Sequence, residues 1–95
     1  MDTKNSTKIF KALGNERRLL ILKHLLERKE LTVGQISELI SLSFKSVSKH
    51  LSILENVNLV KSRQIGLNRL YSINQKAQKE ILHLFEQLTF SYSRE

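Results

Sequence analysis

The stretch SFKSVSKHLSILEN, residues 43 to 56, leaves a chain of this length few ways to fold. Val47, Leu51 and Leu54 recur at i, i+4 and i+7, which places them on one stripe of a helix. Lys45, Lys49, Ser52 and Asn56 project on the opposite side, with Ser46 and Ser48 at its flanks. A helix divided in this way buries its stripe against other elements and leaves the far side, which holds no core-building residue, in solvent. That side offers ammonium and hydroxyl donors at a density that suits phosphate oxygens and the base edges of a DNA major groove. Ser43 is a good N-cap, and the N–H groups and positive dipole end that it leaves open are a place for a phosphate.

What precedes this stretch supports the assignment. Thr32 to Gln35 spells the T-x-x-Q capping box, so a helix starts there, with Ile36, Leu39 and Ile40 as its apolar face. The turn S-L-S at 41 to 43 then joins two short helices, the second with a cationic face, which is the helix-turn-helix arrangement over residues 33–56. Upstream, Asn15 caps a leucine-rich helix in which Leu19, Leu22, Leu25 and Leu26 line one side and Leu20 and Ile21 widen it. A short first helix with Ile9, Phe10 and Leu13 starts over Lys8 to Leu13, Gly14 ends it, and residues 1–7 read as a flexible start.

Downstream, Asn58 stands where a left-handed residue ends a helix, and asparagine is the usual substitute for glycine there. LVKSRQIGLNRLYSI then reads as a β-hairpin, with Gly66 and Asn68 supplying the turn, and marks residues 59–73 as a wing. Leu31 reads only as a short extended link. Asn74 caps a last helix over 75–92 with Ala77, Ile81, Leu84, Phe85, Leu88 and Tyr92 on one side, too apolar for a loose tail. The expected fold is therefore mainly α, an α+β winged helix: five helices with a two-stranded hairpin wing in one domain. At 95 residues such a domain buries a modest core, so the first and last helices are expected to form a homodimer through Ile9, Phe10, Ile81, Leu84, Phe85, Leu88 and Tyr92.

Charge points to the partner. Sixteen Lys and Arg against nine Asp and Glu give a formal +7, which favours a polyanion. Between Ser43 and Tyr71 five cations, Lys45, Lys49, Lys61, Arg63 and Arg69, face a single acidic residue, Glu55. No apolar run approaches the roughly 18 residues needed to span a bilayer, and MDTKNSTK lacks a signal-peptide core, so no membrane partner and a cytoplasmic location are expected. Without cysteine the chain has no disulfide, thiolate metal site or thiol nucleophile. The three histidines, at 24, 50 and 83, sit on separate helices, and no glycine-rich phosphate loop is present, so an enzyme is not expected and neither is a cofactor. His50 reads as a packing or capping residue.

In this order the elements resemble the ArsR/SmtB family of winged helix-turn-helix repressors over about residues 8 to 92. FKALGNERRLLILKHL is similar to the family's A-L-x-x-x-x-R-x-x-I-L-x-x-L opening. LSFKSVSKHLSILENVNLVKSR is similar to its L-S-x-x-x-V-S-x-H-L-x-x-L-x-x-x-x-L-V-x-x-R core, and Gly66, Tyr71 and Ile73 follow in the hairpin. The resemblance implies that Ser43 to Ser52 enters the major groove, that the hairpin from Lys61 to Ile73 holds the DNA backbone or minor groove, and that the first and last helices dimerise. Two departures stand out. Phe44 occupies a place where the family usually has a polar base-contacting residue, and contact with a thymine methyl is one replacement. Leu67 replaces a usual basic residue at the wing tip, with Arg69 as a substitute.

The family's metal sites fare worse. The segment that carries a cysteine pair in many members is Glu30, Leu31, Thr32, Val33, Gly34 here. A second family site pairs an Asp-x-His with a His-x-x-Glu across the last helices. His83 and Glu86 reproduce the latter half, while Leu70 and Ser72 stand where the former would lie. Two donors are fewer than a zinc site needs, so no metal is expected. The function expected is a homodimeric, sequence-specific transcriptional regulator, a repressor, that binds double-stranded DNA at an inverted repeat. Its DNA-binding residues would be Ser43, Phe44, Lys45, Ser46, Ser48, Lys49, Ser52, Lys61, Arg63 and Arg69. A winged-helix adaptor for an acidic protein, or a non-specific DNA binder, is the alternative. No effector is legible.

Overall fold

In a computed structural model the backbone is described for residues 2–93 and the side chains for residues 2–88. Five helices and three strands follow one another: α1 Thr3–Leu13, α2 Glu16–Arg28, β1 Glu30–Thr32, α3 Val33–Ile40, α4 Phe44–Asn56, β2 Val60–Ile65, β3 Asn68–Ile73 and α5 Gln75–Ser93. Helix α2 is central. Its Ile21, Leu22 and Leu25 are fully buried against Ile36 of α3 and against Val47, Leu51 and Leu54, the stripe of α4. Burial of each such side chain is worth about 1.5–3 kcal/mol, and three from one helix hold α4 in place whatever its outer side contacts. Ile21, read from the sequence as a residue that widens the α2 stripe, is thus at its centre.

The caps seat where the side chains predict them. Asn15 Oδ1 accepts from Arg18 N–H at 3.1 Å, and Thr32 and Gln35 close the reciprocal capping box at 3.1 and 2.8 Å. Asn58 takes φ +62° after α4. Asn74 ties two elements together: its Oδ1 accepts from Lys76 N–H at 3.2 Å at the start of α5, and its Nδ2 donates to the Asn58 carbonyl at 2.9 Å.

Three features depart from the sequence reading. Helix α1 begins at Thr3, not Lys8, because Asp2 caps it by accepting from the N–H groups of Lys4 and Asn5. The flexible start therefore gives way to a helix that Ile9, Ala12 and Leu13 anchor from its other end. Leu31 is part of a strand rather than a link. β1 pairs antiparallel with β3, Leu31 opposite Tyr71, so the hairpin is extended to a three-stranded sheet in the order β1-β3-β2. Finally, Asn68 is not a turn residue. It starts β3 opposite Ile65, and the connection is the pair Gly66–Leu67 with positive φ at Gly66 alone, +57°. A two-residue loop with a glycine first matches the twist of an antiparallel hairpin and needs no second special residue.

Candidate nucleic-acid interface

Helix α4 presents its outer side as the residue spacing predicts: Lys45, Lys49, Ser52 and Asn56 are exposed, and Ser46 and Ser48 at its flanks are half-buried; Phe44, which projects beside the apolar stripe at the first position of the helix, is exposed as well. Its start is held by Ser43, whose Oγ accepts from Ser46 N–H at 3.1 Å and lies 3.0 Å from Ser46 Oγ. Ser43 and Ser46 are thus engaged with one another as a cap. The preceding turn is held as well, by Ser37, which donates to the Leu42 carbonyl, and by Ser41 in a left-handed conformation. Among the described residues neither Lys45 nor Lys49 makes a side-chain hydrogen bond or an ion pair, so both ammonium groups are free for an external anion.

The sheet divides its cations by face, because directly opposed residues point to the same side. Leu31, Tyr71, Ile73 and Val60 face the core, and Ser62, Gln64 and Arg69 continue that side toward the wing tip. Lys61 and Arg63 lie on the other side with Glu30 and Leu70. Arg63 donates to both Glu30 carboxylate oxygens, Nε and Nη2 each at 3.0 Å, a bridge across β3 from one edge strand to the other. This pair holds the Glu30 carboxyl below its ordinary range. Arg69, on the α4 side, donates to Ser62 Oγ at 2.8 Å, and Ser62 in turn donates to Glu55 Oε2 at 2.9 Å, which joins the wing to the end of α4. Leu67 is 101% exposed at the tip. Of the expected DNA-binding residues, then, Lys45, Lys49 and Ser52 share the exposed outer side of α4, Arg69 is linked to the end of that helix through Ser62, and Lys61 and Arg63 lie on the other face of the sheet.

One cluster escaped the sequence reading. Arg18 on α2 donates from Nε to the Ala12 carbonyl at 2.7 Å and from Nη2 to the Lys11 carbonyl at 3.4 Å, so a cation closes the C-terminal end of α1. Its Nη1 reaches His50 Nδ1 on α4 at 3.3 Å. Arginine can only donate, so Nδ1 accepts and the ring proton is assigned to Nε2. Burial first, then the charges of Arg18, Arg17 and Lys49, lower the His50 pKa and so favour the neutral ring. The only signal in the sequence was the presence of Arg18 and His50 as fixed letters of the two quoted motifs; their contact spans 32 positions.

The faces expected to dimerise are partly free. Phe10 is 66% and Leu88 50% exposed, and Ile9, Leu84 and Phe85 are half-buried. Ile81 is a correction: at 4% exposure it packs in the core of its own protomer and has little surface left for a partner. Tyr92 lies outside the described side chains. Among the described residues no three His, Asp or Glu converge as metal ligands, and no helix is long and apolar enough to cross a membrane. His83 and Glu86 line a shallow depression with Lys79, Glu80 and Leu82 on α5.

Known proteins share this arrangement. A family model described as bacterial regulatory protein, arsR family, matches residues 15–62, from the cap of α2 into β2. The uncharacterized HTH-type transcriptional regulator YuzN of Bacillus subtilis is 40% identical over 82% of this chain and 91% of its own length. The transcriptional activator HlyU of Vibrio cholerae is 41% identical over 84% of this chain and 79% of its own. A solved structure of reduced HlyU superposes with a TM-score of 0.78 at 34% identity, covering 90% of each chain. The transcriptional repressor PagR of Bacillus anthracis is 32% identical over 88% of this chain and 84% of its own. With half of its length matched by the family model and relatives aligned along most of the rest, the chain belongs to the arsR family of bacterial regulatory proteins.

Proposed function

We propose that this protein is a homodimeric, sequence-specific DNA-binding regulator of transcription that acts by binding rather than by catalysis. The observation that carries the reading is α4: a fully buried apolar stripe fixes a helix whose other side holds two lysines, unpaired among the described residues, and several hydroxyls. Lys45, Ser48, Lys49 and Ser52 would meet base edges and phosphates in a major groove, with Ser43 and Ser46 ordering the helix start beside a phosphate. Arg69 would add a backbone contact from the wing. Lys61 and Arg63, on the far side of the sheet, would act through the overall positive field.

Dimerisation through Phe10 on α1 and Leu84, Phe85 and Leu88 on α5 would cover the exposed apolar surface and set two copies of α4 into successive major grooves about 34 Å apart. Relatives are named as activator and as repressor, HlyU and PagR respectively. For this chain we favour repression, by a dimer that occupies an inverted repeat within a promoter. Selection of bound duplexes from a random library at near-physiological salt tests the reading. An enriched palindrome with half-sites one helical turn apart is expected. Binding that shows no enrichment and vanishes at moderate salt would leave only non-specific electrostatics and sink it.

A further inference from the structure

Phe44 is an aromatic side chain that the fold does not use. It is the first residue of α4, it is 62% exposed, and it belongs to no part of the apolar core, in a domain where burying a phenylalanine is worth about 1.5–3 kcal/mol. Its backbone is pinned by the Ser43–Ser46 cap on the residues to either side, so the ring is carried at the leading end of the helix. Ser48 lies four residues on, on the same side, and Lys45 is adjacent. No acidic residue occurs in the first turn of α4. A ring exposed at the leading end of a helix that carries open lysines is placed to meet an apolar group presented by a polyanion. In the major groove the edges of the bases offer one such group, the C5-methyl of thymine.

We propose that Phe44 is a specificity-determining residue that packs on the C5-methyl group of one thymine in each half-site. This deepens the reading of α4 as the major-groove helix and rests on it. Phe44 has no hydrogen-bonding group, so it cannot tell bases apart by donors and acceptors. It discriminates by the presence of the methyl, and 5-methylcytosine, which carries a methyl at the same ring position, becomes a partial mimic of thymine there.

The experiment replaces the thymines of a selected duplex one at a time by deoxyuridine, which removes only the methyl group. Affinity is measured for the parent protein and for Phe44→Ala and Phe44→Gln, with thermal melting as the folding control; an exposed side chain makes both variants fold. One thymine per half-site is expected at which deoxyuridine weakens the parent about fourfold, the change that corresponds to about 0.8 kcal/mol for one methyl-sized group. At that position Phe44→Ala and Phe44→Gln bind thymine and uracil duplexes equally. A parent that binds its duplex tightly but loses no more than the variants at every thymine overturns the methyl contact and leaves the DNA-binding reading standing. A parent with no specific duplex overturns both. Loss of self-association in Phe44→Ala, with DNA affinity per dimer unchanged, would assign the ring to a contact between copies and overturn the proposal as well.

Discussion

Helix α4 and the β2–β3 hairpin both carry cations, and they hold them differently. Lys45 and Lys49 on α4 have no protein partner among the described residues. On the hairpin Arg63 is clamped by Glu30 and Arg69 is relayed through Ser62 to Glu55. A lysine without a partner keeps its interaction free energy for whatever approaches. An arginine already bonded gives up one set of contacts to make another, so its net gain is smaller. The two regions therefore differ in what they leave free: the α4 lysines are open donors, whereas on the hairpin Arg63 ties β2 to β1 and Arg69 ties the sheet to the end of α4, with only Lys61 unpaired among the described residues.

The largest effect that would break this comparison is on the helix. Lys49→Ala is expected to weaken binding to the selected duplex about tenfold or more, and binding to random duplex less. It should also lower the slope of log affinity against log salt by about 1. Equal losses on both duplexes would demote Lys49 to a field charge. Arg69→Ala should cost about threefold, since the side chain lies beside α4 but is already shared with Ser62. Arg63→Ala should change affinity by less than about twofold with an unaltered salt slope, because an exposed ion pair is screened and its arginine faces away from α4. A larger loss for Arg63→Ala than for Arg69→Ala would reverse the assignment of the sheet's two faces.

The smallest effect concerns pH, and it separates the regions again. In the unfolded chain His50 protonates near its ordinary 6.5, whereas in the fold burial and the charges of Arg18, Arg17 and Lys49 hold the pKa lower. The stabilisation is complete above the unfolded value and is lost as pH falls through about 6.5 toward the folded pKa, because the unfolded chain then binds the extra proton. Melting temperature should therefore drop between about pH 8 and about pH 5, and drop less in His50→Gln. The Glu30–Arg63 pair has the same sign at lower pH, since the Glu30 carboxyl is depressed and its contribution disappears on protonation. A melt with the same pH dependence in His50→Gln as in the parent would overturn the lowered pKa of His50.

The faces expected to dimerise show the limit of periodicity. The stripe Ala77, Ile81, Leu84, Phe85, Leu88 is continuous on α5, yet Ile81 is consumed by the core and Leu88 is not. Spacing says which residues share a side of a helix. How far the neighbouring elements extend along that side decides where the core stops and an open surface begins.

Local chemistry alone determined a good deal here. Caps at Asn15, Ser43 and Asn74, the Thr32–Gln35 box, the left-handed Asn58, the hairpin glycine and the α4 stripe are all set within four or five residues by backbone hydrogen bonding and helical period, and each is legible in the letters. Tertiary structure decided what depends on partners far along the chain. Leu31 becomes a strand only because β3 arrives beside it. Arg63 is occupied only because β1 brings Glu30 across the sheet, and Arg18 meets His50 only when α2 packs on α4. The physical reason is the same in each case: a side chain's type fixes what it can bond to, and only the packed fold fixes which partner is within 3 or so ångströms.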